Sequence, residues 1–338
     1  METRKIQQVG GGTFTVSLPK AWTTEHDFEA GMELRLYTQR DGSILIRSSE
    51  ADIECLADAT IELDNCDPEA AARAVRTAHT VGFENITVRR NGEFTDAERD
   101  AVQSTVRELV GTNILAASDT EITIRHLLDS SSVSVRQSVI QLQYVVVSLL
   151  RDSAEMFVEG TDIHVRIRDR AAEARRSVGM VKRHFARSLI SYAELDALGV
   201  SLPELFAYYG IATRLETVIE QAARIANTGA TCPEPPSDAV DVDVCSVVDD
   251  VACAIDDAVT AVLNGDMAKG QQARDRCDDA IERIDAVEQR LYNGAVSDPA
   301  AAIALATRLT HLRRAANCSC SMADIAARTA IRAENLDL

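Results

Sequence analysis

Hydrophobic and polar positions recur with three different periods along the chain. In residues 1–50 they alternate. Within TFTVSLP, Thr13, Thr15 and Ser17 fall on one side and Phe14, Val16 and Leu18 on the other, the period of a half-buried strand. RKIQQV precedes it across Gly10-Gly11-Gly12 and reads as a partner strand. Pro19 then opens a short helical turn from Lys20 to His26. MELRLYTQ and SILIRS flank Arg40-Asp41-Gly42, and Asp-Gly between alternating runs predicts a hairpin.

Residues 51–128 mix periods. ATIEL, NITVRR and EITIRHLL read as strands. Asp67-Pro68 opens a helix that runs to about Val81, because proline suits the first helical position, and Gly82 ends it. Thr95-Asp96-Ala97-Glu98 is a capping box for a helix reaching about Val110 and closed by Gly111. This segment is expected to be a small α+β domain.

From Ser130 onward the period is helical throughout. Cys232-Pro233-Glu234-Pro235-Pro236-Ser237 is too rich in proline for a helix and splits the region into 130–231 and 238–335. Each half reads as three helices, roughly 133–158, 163–190 and 203–228, then 241–263, 266–293 and 299–333. Gly160-Thr161-Asp162 and Gly265-Asp266 interrupt equivalent places, and Arg168-Asp169-Arg170 matches Arg274-Asp275-Arg276, 106 residues further on. A duplicated three-helix unit is the simplest account.

Composition sharpens this picture. Hydrophobic residues make up 46% and aromatics 4%, so the cores must be built from Ala, Val, Leu and Ile. No run approaches the ~18 apolar residues of a membrane span, and METRKIQQVGGG lacks a signal-peptide core, so a cytoplasmic protein without membrane insertion is expected. The eight cysteines show no C-x-x-C spacing and read as reduced, small core residues. Net charge is −18, and of 35 basic residues only Lys5, Lys20, Lys182 and Lys269 are lysines. An acidic, lysine-poor surface suits a cytoplasm holding molar salt, as in a halophile, where the Debye length is about 3 Å and self-repulsion is screened. Residues 1–50 carry six basic and seven acidic residues, a net of −1, leaving −17 on the other 288. So neutral a segment in so acidic a chain points to an anionic partner.

The run Lys5-Ile6-x-x-Val9-Gly10-Gly11, then Val16-x-Leu18-Pro19-Lys20-x-Trp22, then Phe28-x-x-Gly31-Met32-x-Leu34, resembles the AbrB/SpoVT/MazE family over about residues 3–47. The resemblance implies an all-β swapped-hairpin module in which two chains interleave, hence a homodimer that binds DNA. It places DNA contact at Arg4, Lys5, Gln7, Gln8 and Lys20. The family's further arginines after Pro-Lys are replaced here by Ala21 and Trp22, which thins the phosphate contacts. Counterion release weakens as salt rises, so base-edge hydrogen bonds from Gln7 and Gln8 are expected to carry preference. Trp22 is expected to pack against the hairpin.

Ile211 to Asn227, with Leu215-Glu216 at its centre, resembles the closing helix of a PhoU repeat, and the resemblance covers about residues 130–335. It implies tandem three-helix bundles linked to phosphate uptake and signalling, with a divalent or ferric metal ion held by carboxylates four residues apart. Glu216 and Glu220 keep that spacing, as do Asp275 and Asp279. The matching helix of the second half reads Leu312-Arg313-Arg314 and lacks the carboxylate pair, so the metal sites are expected to be weakened or lost, with one partial site at most near Glu216 and Glu220.

No G-x-x-x-x-G-K-S/T, G-x-S-x-G or H-E-x-x-H motif occurs, so no enzyme is expected. The expected architecture is a multi-domain chain: a swapped-hairpin module at 1–50, a small α+β domain at 51–128, and three-helix bundles at 130–231 and 238–335. The expected function is a dimeric transcription regulator that senses phosphate status. The alternative is an adaptor that docks on a phosphate transporter or histidine kinase without binding DNA.

Overall fold

The computed structural model describes residues 3–38, 42–48, 56–64, 67–159, 162–230 and 238–335. They form two compact units, Met1–Glu54 and Cys55–Leu338.

In the first unit, β1 (Gln7–Val9) pairs antiparallel with β2 (Thr13–Thr15), placing Gln7 across from Thr15 and Gln8 across from Phe14. Gly10 turns the chain with φ +67°, a conformation glycine adopts without strain. A single helical turn follows, α1 (Lys20–Glu25), in which the Thr23 and Thr24 hydroxyls donate to the Lys20 carbonyl. Trp22 stacks on Phe28 at 4.9 Å, within this turn and its exit rather than on a hairpin. β3 (Leu34–Thr38) and β4 (Ile44–Ser48) form the expected antiparallel hairpin. Arg40 and Asp41 of its turn lie outside the described residues, while Gly42 takes the left-handed conformation the turn needs. No described residue of this unit is buried.

The second unit begins with a four-stranded sheet in the order β5 (Asp58–Leu63), β6 (Asn85–Arg90), β8 (Glu121–His126), β7 (Thr112–Ala117). β5 and β6 run parallel, and β8 is antiparallel to both its neighbours. β7 escaped the sequence reading. A register irregularity between Ile114 and Ala116 breaks the alternation that would have marked it. Two helices cover one face, α2 (Pro68–Val81) and α3 (Asp96–Glu108), and Val75, Ile86, Val88, Val102 and Ile124 form their common core. Asp67 caps α2 by accepting from the Glu69 N–H, and the Thr95–Glu98 capping box is complete. Glu98 is also buried against Arg90, Nε to Oε1 at 3.0 Å. Burial alone would raise its pKa, but hydrogen bonds from Thr95 and the Arg90 charge outweigh that and hold it below the usual range.

The rest is helical: α4 (Val135–Glu159), α5 (Asp162–Ser188), the short α6 (Tyr192–Leu198), α7 (Leu202–Ala230), α8 (Asp238–Asn264), α9 (Met267–Tyr292) and α10 (Pro299–Asn335). The six long helices follow the expected pattern, whereas α6, only seven residues long, does not register in a periodicity that needs several turns. One apolar core runs through both halves, from Val139 and Leu150 through Leu215 and Ile219 to Val251, Ile284 and Leu309. Gln143 of α4 ties the halves by donating to the Asp256 carbonyl and carboxylate and to Thr260 of α8.

Side-chain pairs repeat as well. Arg170 of α5 meets Asp152 of α4 at 2.5 Å, and Arg276 of α9 meets Asp257 of α8 at 3.3 Å, so the matching arginines bind matching helices. The cysteine reading needs correction. Cys277 of α9 and Cys320 of α10 form a disulfide with Cα atoms 5.7 Å apart, while Cys253 and Cys318 are free thiols. Sequence spacing placed Cys320 beside Cys318; the fold brings it to a residue 43 positions earlier.

A buried polar seam fixes the sheet module to the helices. Glu194 of α6 receives His184 Nδ1 at 2.6 Å, Arg187 Nε at 2.8 Å and the Ser130 hydroxyl at 2.9 Å. Arg183 and Arg187 of α5 then donate to the carbonyls of His79 and Gly82, each at 2.6 Å, satisfying the C-terminal end of α2. Gly82 is required twice over here. Its φ is +115°, and a Cβ would meet Arg187 Cγ at 2.4 Å. Burial opposes the charge on Glu194, yet the bonds and charges of His184 and Arg187 hold its pKa at about 2. Burial, helped by the Arg183 charge, drives His79 and His126 down to about 3, so both are neutral at ordinary pH. Burial also lowers Arg183 to about 10.

Candidate nucleic-acid interface

Neighbouring residues of a strand point to opposite faces, and residues directly across an antiparallel pair share a face. The β1–β2 register therefore separates Gln7 from Gln8. Gln7 lies with Thr15, whose hydroxyl donates to the Gln7 carbonyl at 3.4 Å; Gln8 lies with Phe14. Phe14 is 68% exposed within one chain, too much apolar surface for a hairpin to leave in water. One face of β1–β2 thus carries Gln7, Thr13 and Thr15 beside Val9, and the other carries Gln8 and the exposed Phe14. Gln7 and Gln8, both expected to read base edges, thus lie on opposite faces of the hairpin.

Lys5 and Lys20 are exposed, Lys20 as the first residue of α1 behind Pro19. Arg4 is exposed and makes a contact of its own. Sequence reasoning missed a second basic feature. Arg35 of β3 lies directly across from Arg47 of β4. Like charges in direct opposition add positive charge to that face of the hairpin. Alternation alone could have shown both arginines on the same side as Tyr37 and Leu45, once the strand register was known.

The apolar side continues the theme. Leu36, across from Ile46, is 63% exposed and Ile44 is 60% exposed. With Ile6, Phe14 and Val16 also more than half exposed, the unit has an apolar surface that none of its described residues covers.

The carboxylates considered for metal binding are placed otherwise. Glu216 of α7 is bonded by the Lys182 ammonium of α5, and Glu220 is exposed. Asp275 and Asp279 are exposed on α9, with Asp275 accepting from the Gln271 amide at 2.8 Å. The second half mirrors the first with its charges reversed. Glu288 stands where Lys182 does, and Arg313, the counterpart of Glu216, binds it at 2.9 Å and Asp285 at 2.5 Å. An internal cation thus meets the carboxylate at this position in both halves. These residues do not form a hard-cation cage, which needs several oxygens converging without a competing ammonium. Among the described residues, the one group of three potential ligands in reach of each other is Cys277, Asp278 and Cys320, two of them joined as the disulfide.

Residues 7–53 match the family described as antidote-toxin recognition MazE, bacterial antitoxin. No curated protein matches the chain. Among the described residues no helix is long and apolar enough to cross a membrane.

Proposed function

We propose that the chain is a DNA-binding transcription regulator. Its N-terminal unit closes on a second copy and presents a polar, basic face to a duplex. The observation that carries this reading is the two-sidedness of β1–β2, with Gln7 and Thr15 on one face and Phe14 on the other, inside the segment that matches an antitoxin-type regulator family. Lys5 and Lys20 supply phosphate contacts, and Gln7 supplies hydrogen bonds to base edges. Gln8 belongs to the dimer contact. A two-fold dimer reads two half-sites, so the operator is palindromic.

The unit Cys55–Leu338 takes the signal. Its PhoU-like pattern of two three-helix units supports phosphate status as the input, conveyed without a resident metal and without catalysis by this chain. An input that favours one arrangement of the paired N-terminal units shifts operator affinity through populations. The acidic, lysine-poor surface supports a salt-rich cytoplasm as the setting.

Selection from a random duplex pool at several salt concentrations tests the reading. Enrichment of a palindrome that Lys5→Ala with Lys20→Ala abolishes is expected. Absence of any enriched sequence would overturn it and favour docking on a transporter or kinase instead.

A further inference from the structure

A cavity of about 140 Å³ opens between α7 and α10. Its aromatic wall is Phe206 and Tyr209, both packed on Phe185, with Phe185 and Tyr209 stacked at 4.4 Å. Phe206 is 58% exposed, although the neighbouring Leu205, Ile211 and Leu215 of the same helix are fully buried. Three arginines complete the lining: Arg214 from α7, and Arg328 and Arg332 one turn apart on α10.

Among the described residues no carboxylate lies within ion-pair distance of these three guanidinium groups. Arg214 makes only a long hydrogen bond, 3.3 Å, to the Gly210 carbonyl of its own helix. Elsewhere in this unit arginines reach for acids: Arg313 of α10 binds Asp285 and Glu288, and Arg274 of the neighbouring α9 binds Asp278 and Asp324. In a chain of net charge −18, acidic partners are plentiful. Three like charges left together around an apolar hollow repel one another, and an anion would relieve them. A singly charged carboxylate compensates one guanidinium. A phosphate monoester carries about −1.5 to −2 near neutrality and offers oxygens to several at once. The hollow beside it is large enough for one ring, and exposed Phe206 offers a face to stack on.

We propose that this cavity binds a ring compound bearing a phosphate monoester, its ring against Phe206 and Tyr209 and its phosphate held by Arg214, Arg328 and Arg332. The site lies in the signal-receiving unit, but its occupancy does not depend on the regulator reading, because binding is measured without DNA.

Calorimetric titration of the full chain with phenyl phosphate tests it. Inorganic phosphate serves as the anion without a ring, phenol as the ring without charge, and benzoate as the ring with one charge. Phenyl phosphate is expected to bind tightest, and Arg328→Gln with Arg332→Gln to weaken it at least about ten-fold. Phe206→Ala should weaken phenyl phosphate while leaving inorganic phosphate unchanged. All three substitutions fall on solvent-exposed residues, and helical circular dichroism verifies that each variant is folded. No binding of phenyl phosphate would overturn the proposal. So would equal binding of benzoate, or binding indifferent to the double arginine substitution.

Discussion

The two units of this chain solve the burial problem in opposite ways. The helical and sheet unit, Cys55–Leu338, encloses its own core, with Val75, Ile124, Leu150, Leu215 and Ile284 all fully buried. The N-terminal unit has the alternation of a folded strand pair but buries none of its described residues: Phe14, Leu36 and Ile44 each remain at least 60% exposed. Short hairpins have too little surface on one side to make a core alone. The contrast assigns different roles to assembly. The second unit has its own core, while under the proposed reading the first completes its core only by pairing with a second copy.

The sharpest way to break this contrast is to charge the apolar side. Phe14→Asp is expected to abolish dimers and DNA binding together, read by sedimentation and by fluorescence anisotropy on the selected duplex. The helical signal of the second unit should be unchanged. The next largest effect belongs to the second unit alone. Arg90→Ala strands the buried Glu98 carboxylate, and removing one member of a buried pair costs about 3–5 kcal/mol. Urea unfolding should show that loss, with dimerisation unaffected.

Acid sharpens the contrast further. His79 and His126 have folded pKa values of about 3 against 6.5 in an unfolded chain, so the unfolded state binds more protons below pH 6.5. Stability is therefore full above about pH 6.5 and falls as pH drops toward 3. For His79, which is 1% exposed, the loss between pH 6.5 and 5 is about 2 kcal/mol. Glu194, depressed to about 2, adds to the same direction below about pH 4.5. Urea midpoints at pH 7.5 and 5 measure this, and His79→Phe should flatten the dependence. The smallest effects are on the polar face. Gln7→Ala should relax base preference with little change in overall affinity, whereas Gln8→Ala should act through dimer stability. Equal effects of the two on base preference would contradict the register.

Much of this architecture is legible in the sequence alone. The capping box at Thr95–Glu98, the proline start at Pro68 and the helical periods of the bundle are local signals, and the corresponding elements form where those signals fall. What escaped was non-local. Alternation is lost at the irregularity after Ile114, so β7 carried no pattern. Cys320 meets Cys277 across two helices, which no local spacing reveals. The candidate interface divides in the same way. Its residue types were visible, but the opposition of Gln7 and Gln8 follows from their pairing with Thr15 and Phe14. The Glu216 position illustrates the limit best. Its carboxylate and spacing suggested a cation, and the cation it meets is Lys182 from another helix, a partner visible only in the fold.

The most direct test of the account is sedimentation velocity of the full chain beside Phe14→Asp, each with and without the selected duplex. A dimer that binds duplex, replaced by a folded monomer that does not, is the predicted result. A wild-type monomer that binds duplex, or a Phe14→Asp chain that remains a DNA-binding dimer, would contradict it.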